Sequence, residues 1–304
     1  MDKTMAITMG AAITDHLVVG LVENHQVIQT SAHKPEEEYT TDSWRGVPAD
    51  ELLSTVAEQI AQLSRNRKIE SVGLALPAMV RNGAVLESTI LPQLKGGNLA
   101  DILRESLRLH AVEPEHVAIV NDADAIAAGI AAQRVALDGT ADKKFRVWLL
   151  GDGVGFGSYP FDGSLCEGGH VVVSLDPAEK YCGCGGRGHL EGIAGARAMR
   201  LRFFDLEPQE VFSSAFNGDD PRCSEFILLW HRAIAAATAT SIHLNGPATY
   251  CLAGPFAPYV NLGLLHRFTE EMVTLTSLQG YSYEVIRQTE EAVLIGAAHC
   301  AKSQ

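Results

Sequence analysis

Residues 167–191 read EGGHVVVSLDPAEKYCGCGGRGHLE, and this stretch brings two thiols and two imidazoles close together in the chain. The four candidate ligands are His170, Cys182, Cys184 and His189. Two cysteines and two histidines are typical of a tetrahedral structural zinc site, and the intervening glycines allow the backbone to wrap tightly. A glycine turn with incidental cysteines is the alternative. Six cysteines among 304 residues are too few for a disulfide scaffold, which favours a local site.

The composition of the chain excludes several classes of partner. Lys and Arg number 24 and Asp and Glu 37, so the formal net charge is −13. Because such a chain repels phosphate backbones, we expect no nucleic-acid partner. No apolar run reaches the length of a membrane span, so we expect no membrane partner and a cytoplasmic location. A length of 304 residues favours two domains.

Strand and helix patterns alternate on both sides of a polar insert, which predicts an α/β protein in two related halves. An amphipathic helix is predicted at 48–66, and a long alanine-rich helix at 223–244. Predicted strands include residues 17–22, 116–120, 145–150 and 171–175. We place a smaller α/β domain at 1–120 plus about 288–304, and a larger one with the candidate zinc site at 121–287.

Asn121 and Asp122 directly follow an apolar strand and begin an alanine-rich helix. In open α/β sheets, ligands bind beyond the carboxyl ends of the strands. A carboxylate at Asp122 can act there as a general base on a substrate hydroxyl, while the Asn121 amide fixes a neighbouring hydroxyl. The alternative is an ordinary helix N-cap, for which both residue types are favoured.

The glycine run GDGVGFG, residues 151–157, follows another predicted strand. Its spacing matches neither the dinucleotide-binding fingerprint nor the P-loop, and a strand is expected after it. Glycine amides in a hairpin can form an anion-binding nest. A tight turn without a ligand is the alternative.

In this order, the segments resemble the ROK family of repressors, open reading frames and sugar kinases. NDADA at 121–125 is similar to the family's N-D-A-N-A, the run at 151–157 to its G-T-G-I-G-G-G, EGGH at 167–170 to its E-x-G-H, and CGCGGRGHLE at 182–191 to its C-x-C-G-x-x-G-C-x-E. The resemblance covers nearly the whole chain. It implies a two-domain, actin-like (ribonuclease H-like) α/β ATPase fold, with ATP and a sugar bound in an interdomain cleft.

The resemblance also implies a role for each matched residue. Asp122 matches the general base that deprotonates the attacking sugar hydroxyl. The implied sugar-binding residues are Asn121, Glu167, His170 and Glu191. The implied zinc ligands are His170, Cys182, Cys184 and His189, with His189 where the family has a third cysteine. The implied nucleotide-binding residues are Gly10, Gly151, Asp152, Gly153, Gly155 and Gly254.

The nucleotide side departs from the family pattern. The family's first phosphate motif, D-x-G-G-T-K, falls at TMGAAI, residues 8–13. Thr8, Ala12 and Ile13 stand there at the positions of the Asp, the Thr and the Lys. In the second loop, Asp152 replaces the family's Thr. We expect a kinase that phosphorylates a hexose or N-acetylhexosamine with Mg-ATP, with Asp152 as a relocated metal carboxylate. The alternative is an inactive sugar-binding or sensing protein with structural zinc. The resemblance also suggests a homodimer.

Overall fold

The computed structural model describes residues 7–14, 16–33, 44–65, 67–138, 144–161 and 163–302. The chain divides into two compact units. The first groups Met1–Asp142, Gly157–Leu165 and Gln288–Gln304, and the second groups Lys143–Phe156 and Cys166–Arg287. The domain boundary that we placed after residue 120 therefore falls inside the first unit.

The first unit contains a five-stranded sheet with two antiparallel and two parallel strand pairings. The strand order is β3-β2-β1-β4-β7, with a separate hairpin β5-β6. The strands are β1 (Ile7–Ile13), β2 (Leu17–Glu23), β3 (Gln26–His33), β4 (Ile69–Leu76), β5 (Met79–Arg81), β6 (Ala84–Glu87) and β7 (His116–Asn121). The helices of this unit are α1 (Ala49–Ser64), α2 (Leu99–Leu109), α3 (Asp122–Asp138) and α9 (Thr289–Lys302).

The second unit is built on a four-stranded sheet with the order β11-β10-β8-β9. Its strands are β8 (Phe145–Leu150), β9 (Val154–Tyr159), β10 (Thr249–Ala253) and β11 (Ser282–Val285). Its helices are α4 (Glu191–Ala194), α5 (Ala196–Arg202), α6 (Pro208–Asn217), α7 (Pro221–Asn245) and α8 (Leu262–Met272). Among the described residues, no helix combines the length and the apolar character needed to cross a membrane.

Helix α9 packs on β1 and β4 so closely that only glycine fits beneath it. A Cβ atom on Gly10 would lie 1.9 Å from the carbonyl oxygen of Leu294, and one on Gly73 would lie 1.8 Å from that of Ala297. The residues after Gly10 in β1, Ala11 to Ile13, are completely buried. The segment at 8–13 is therefore part of a buried strand. This packing gives Gly10 a structural reason that is independent of the nucleotide contact implied by the family resemblance.

The strand predicted at 171–175 is wrong. Of these residues only Val172 forms a β-bridge, to His189. The N–H groups of Val173 and Ser174 both donate to the carbonyl of Gly188, at 2.8 and 3.2 Å. The segment pairs with the loop at 179–189, the cysteine-rich loop, instead of a sheet. Leu175 is 94% exposed. Its apolar composition gave the wrong assignment because burial in a sheet and pairing with a loop cannot be distinguished from five residues.

Candidate functional site

The four predicted metal ligands come together in the second unit. One donor atom each from His170, Cys182, Cys184 and His189 lies within 4.8 Å of all the others. The two cysteine Sγ atoms are 3.3 Å apart, and His189 Nδ1 lies 3.2 Å from the Sγ of Cys184. The arrangement brings two sulfur and two nitrogen donors to one point, as the sequence predicted.

Local backbone geometry closes the loop that carries three of these ligands. Gly185 and Gly188 have φ angles of +81° and +68°, in the left-handed region that favours glycine. The amide of Gly185 donates to the carbonyl of Cys182 at 3.1 Å. This hydrogen bond closes a turn that contains both thiols and precedes His189. The amide of Gly188 donates to the carbonyl of Glu179 at 2.7 Å and closes the base of the loop.

His170 is placed by a glycine pair packed on β9. Gly168–His170 form a short 3-10 turn, and a Cβ on Gly169 would lie 2.0 Å from the carbonyl oxygen of Val154. Glu167 precedes the turn, with its Oε2 atom 3.5 Å from His170 Nδ1. The EGGH segment thus sets a carboxylate and an imidazole side by side.

Glu191 connects this histidine to the cysteines and to β9. Its Oε2 atom accepts the N–H of Val154 at 3.2 Å, and its Oε1 atom accepts the thiol of Cys182 at 3.3 Å. The same Oε1 atom lies 3.8 Å from Nε2 of His170, an ion-pair distance. Two side chains and one strand are therefore held by a single carboxylate.

Opposing effects set the charges of these groups. Burial raises the pKa of Glu191, but interactions with His170, Val154 and Cys182 outweigh it and lower the pKa overall. The neighbouring Glu191 carboxylate raises the pKa of His170. Burial is the main cause that raises the pKa of Glu167 and of the Cys182 thiol. The Glu191–His170 pair therefore favours the ionised forms of both partners.

The donor set fits zinc. Two thiols and two imidazoles without a carboxylate ligand are a common composition for a structural zinc site. The Nε2 atom of His170 is buried and has no hydrogen-bond partner among the described residues. An unsatisfied buried nitrogen is costly in an apolar interior and is satisfied when it ligates a metal. His170, Cys182, Cys184 and His189 are therefore the residues that could hold the ion.

The glycine run is a short turn followed by a strand. Only residues 151–153 form the turn, because β9 already begins at Val154 and includes Gly155. The carbonyls of Gly151 and Asp152 accept the N–H groups of Ala196 and Arg197 at 3.0 and 3.1 Å. A Cβ on Gly153 would lie 2.6 Å from Glu191 Oε2. The turn is thus packed between α5 and Glu191, and the contact with Glu191 accounts for the glycine at 153.

Asp152 is engaged in an ion pair. Its Oδ1 atom accepts a hydrogen bond from Nη1 of Arg200 at 2.9 Å, while Nε of Arg200 donates to Glu207 at 3.0 Å. The two carboxylates raise the pKa of Arg200, although its partial burial opposes this. The negative charge of Asp152 is therefore compensated within the chain.

Another expected nucleotide residue, Gly254, has a structural reason of its own. Its φ angle is +94°, and a Cβ there would lie 2.4 Å from the carbonyl oxygen of Leu150. A side chain at this position would collide with the end of β8. Gly254 therefore allows the turn after β10 to pass close to that strand.

In the first unit, Asn121 caps α3 and Asp122 begins it. Oδ1 of Asn121 accepts the N–H of Asp124 at 3.0 Å, and its Nδ2 donates to the carbonyl of Ala78 at 3.1 Å. Oδ1 of Asp122 accepts the N–H of Ala123 at 2.8 Å. Asn121 thus has the N-cap role that was the alternative to sugar binding. Asp122 stands at the carboxyl end of β7 and begins α3.

Arg202, which no sequence motif indicated, fixes the cysteine-rich loop to α5. Its guanidinium forms a forked ion pair with Glu179 and donates to the carbonyl of Gly192 at 2.9 Å. It also stacks 4.2 Å over the ring of Tyr181. Both side chains of the ion pair are only 14% exposed. No local pattern links residues 179 and 202, so only the folded chain reveals the contact.

Comparisons with known proteins identify the family of this chain and several relatives. A sequence profile described as the ROK family matches residues 4–303. A glucokinase from Pyrobaculum calidifontis is 27% identical over 270 residues, which cover 82% of this chain and 84% of the relative. An N-acetylmannosamine kinase from Haemophilus influenzae is 26% identical over 247 residues, or 77% of this chain and 78% of the relative.

The fold has counterparts among solved structures. A ROK family glucokinase from Streptomyces griseus, in complex with glucose and AMPPNP, superposes with a TM-score of 0.77 at 19% identity. The match covers 98% of this chain and 100% of the other. The chain therefore has the mixed α/β, two-sheet, actin-like fold of these kinases.

Replacing Arg202 with Met should leave Glu179 as an uncompensated, largely buried charge. Loss of one partner of a buried ion pair costs about 3–5 kcal/mol. We expect urea unfolding to show a loss of this size for Arg202→Met, and a smaller loss when Glu179→Gln is added. Arg232→Met is the control, because its pair with Glu271 is exposed and should contribute less than about 1 kcal/mol. Equal losses in both Met variants would contradict the assigned role of Arg202.

Proposed function

The chain belongs to the ROK family, and on that premise we propose that it binds a hexose or N-acetylhexosamine and phosphorylates it with ATP. The observation that carries the proposal is the cluster of Glu167, His170 and Glu191 joined to the four metal donors. The relatives also support the proposal, because the similar curated proteins are glucokinases and N-acetylmannosamine kinases.

Sugar binding at this cluster follows from the chemistry of its side chains. Ionised carboxylates accept hydrogen bonds from hydroxyl groups, and an imidazole can donate or accept. Glu167 is 39% exposed, and His170 is 25% exposed, so both can be reached by a small solute. Two acceptors and one adaptable ring suit the adjacent hydroxyls of a pyranose. We propose that these residues bind the sugar. We also propose Asn121 as a sugar-binding residue, through the remaining hydrogen-bonding capacity of its amide.

We propose that His170, Cys182, Cys184 and His189 hold one structural zinc ion. When bound, the ion would cross-link the cysteine-rich loop to the EGGH segment and contribute to folding. His170 would then belong to both the zinc site and the sugar site, because Glu167 and Glu191 flank its ring. The loop would hold these carboxylates in place for sugar hydroxyls.

We propose Asp122 as the general base. Its carboxylate would take the proton from a sugar hydroxyl as that oxygen forms a bond to the γ-phosphorus and the bond to ADP breaks. Phosphoryl transfer requires mainly positioning and charge neutralisation, so one placed base can suffice for the proton. Its position at the carboxyl end of β7 supports this role. For the phosphates, we propose the turn at 151–153 with Arg200 as the nearby cation.

A second candidate function is sugar binding without phosphoryl transfer. Two observations favour it. Residues 11–13 of β1, at the position of the family's first phosphate motif, are buried and apolar. Asp152 already accepts a hydrogen bond from Nη1 of Arg200, the cation proposed for the phosphates. Such a protein would bind a sugar as a sensor and would not turn over ATP.

We also propose that the protein acts on a small molecule as a cytoplasmic homodimer, without a nucleic-acid or membrane partner. The acidic composition supports the exclusion of nucleic acid. These points remain predictions from the sequence and the family. Light scattering of the purified chain measures the oligomeric state directly.

The base is tested by Asp122→Asn. The amide is nearly isosteric but cannot accept the proton, so we expect kcat for sugar phosphorylation to fall by about 10²–10⁴-fold. Binding of the sugar, measured by calorimetry, should be unchanged. Asp124→Asn, in the same turn of α3, is the matched control and should retain its turnover. A fully active Asp122→Asn variant would rule out this residue as the base.

Zinc is tested by metal analysis and thermal unfolding. We expect one zinc ion per chain, and we expect Cys184→Ala or a strong chelator to lower the Tm by more than about 5 °C, the shift that roughly 2 kcal/mol produces in a domain of this size. Cys166→Ala, which removes an exposed thiol outside the cluster, should behave like the parent. Absence of zinc together with a Tm unaffected by chelator would refute the site.

The two candidate functions differ in their forecast for Asp152→Thr. Two like unit charges at about 4 Å repel by about 4 kcal/mol at an effective dielectric near 20, and Arg200 offsets part of this. If the protein only binds sugar, the parent chain should not bind Mg-ATP, and the Asp152→Thr variant should bind it. If the protein is a kinase, the parent chain should phosphorylate sugar and the variant should lose turnover, because the change removes the carboxylate expected to bind Mg²⁺. Calorimetry with Mg-ATP and a hexose assay decide, with Asp219→Thr as control.

A further inference from the structure

The cysteine-rich loop contains three glycines between its second thiol and its last imidazole, and they differ in why they are needed. Gly185 and Gly188 have positive φ angles, so any side chain there would strain the backbone. Gly186 does not have a φ angle in that region. Its backbone conformation is therefore open to other residues, and the absence of its side chain needs another explanation.

That explanation is the ring of His189. A Cβ on Gly186 would lie 2.1 Å from Cε1, 2.6 Å from Nε2 and 2.8 Å from Nδ1 of this imidazole. These three ring atoms are the nearest contacts, so the ring is the first obstacle to a side chain at this position. The imidazole thus occupies the space that a side chain at 186 would fill.

The position of the ring depends on this space. His189 Nδ1 lies 3.2 Å from the Sγ of Cys184, and the amide of Gly186 donates to the same sulfur at 3.3 Å. The ring of His189 also lies 5.3 Å from that of His170. A ring that turned away from residue 186 would change the 3.2 Å approach of Nδ1 to the Sγ of Cys184.

We propose that Gly186 determines the identity of the fourth metal ligand, because its missing Cβ allows an imidazole at position 189. The family pattern that this loop resembles has a cysteine at this position and leaves position 186 unrestricted. A thiol is shorter than an imidazole and does not reach the space beside residue 186. The histidine at 189 and the glycine at 186 therefore form one coupled feature of this chain. The inference rests on the zinc site proposed above.

The proposal makes a specific forecast for pairs of substitutions. In Gly186→Ala the ring must turn aside, so the metal should be held by three ligands and released faster. Changes near metal ligands typically cost 10–100-fold in metal affinity, and we expect about this effect. In Gly186→Ala/His189→Cys the thiol should restore tight binding. His189→Cys alone should bind metal as well as the parent chain.

The experiment uses the full chain, reconstituted with Zn²⁺ or with Co²⁺ as a spectroscopic probe. Zinc release to a chromogenic chelator gives the rate, and the thiolate-to-cobalt absorption bands report the number of sulfur ligands. Gly183→Ala is the matched control in the same loop, since a Cβ there meets only ordinary contacts, at 3.7 Å from Arg197 and 3.8 Å from Glu191. Circular dichroism verifies that each variant is folded.

We expect the parent and Gly183→Ala to share one cobalt spectrum and one slow release rate. Gly186→Ala should release zinc faster with an altered spectrum, and the double variant should show the stronger sulfur bands of three thiolates with slow release. A Gly186→Ala variant that retains the parent's rate and spectrum would overturn the proposal, as would a double variant that is not rescued. A parent chain that binds neither ion refutes the zinc site itself, which separates that failure from this one.

Discussion

The Glu191 carboxylate is bound on both of its oxygens, and much of the second unit's candidate site depends on this. One oxygen accepts the first amide of β9, and the other accepts the thiol of Cys182 and faces His170. A buried carboxylate remains ionised only when such partners replace its hydration. Glu191 therefore fixes the end of the glycine turn, the first thiol and the histidine relative to one another.

Much of this site could be predicted from sequence because its parts are local. His170, Cys182, Cys184 and His189 lie within twenty residues, and the spacing of ligand types was sufficient to group them. The ion pairs that support them could not be predicted in the same way. Arg202 meets Glu179, and Arg200 meets Asp152, across 23 and 48 residues. Such partners are set by the packing of α5, which no short pattern encodes.

The same distinction explains the wrong strand assignment and why three glycines have packing reasons that their sequence context did not indicate. Residues 171–175 have the composition of a strand, but their amides pair with a carbonyl of the cysteine-rich loop. The glycines at 10, 153 and 254 look like phosphate-binding residues in sequence, and each has a close internal neighbour in the structure: Leu294, Glu191 and Leu150. A glycine required by packing and a glycine required by a ligand look identical in a sequence, so only distances in the structure reveal a packing requirement.

The contact between α9 and the first sheet has a consequence for the order in which the protein can form during synthesis. The helix contains residues 289–302, yet it packs directly on β1 and β4 through Gly10 and Gly73. On the ribosome, these strands emerge long before the helix that covers them. Their glycine-lined face must therefore wait, exposed, until the second unit, which ends at residue 287, has been made. The second unit, with its cysteine-rich loop, can fold before the helix that completes the first unit has emerged.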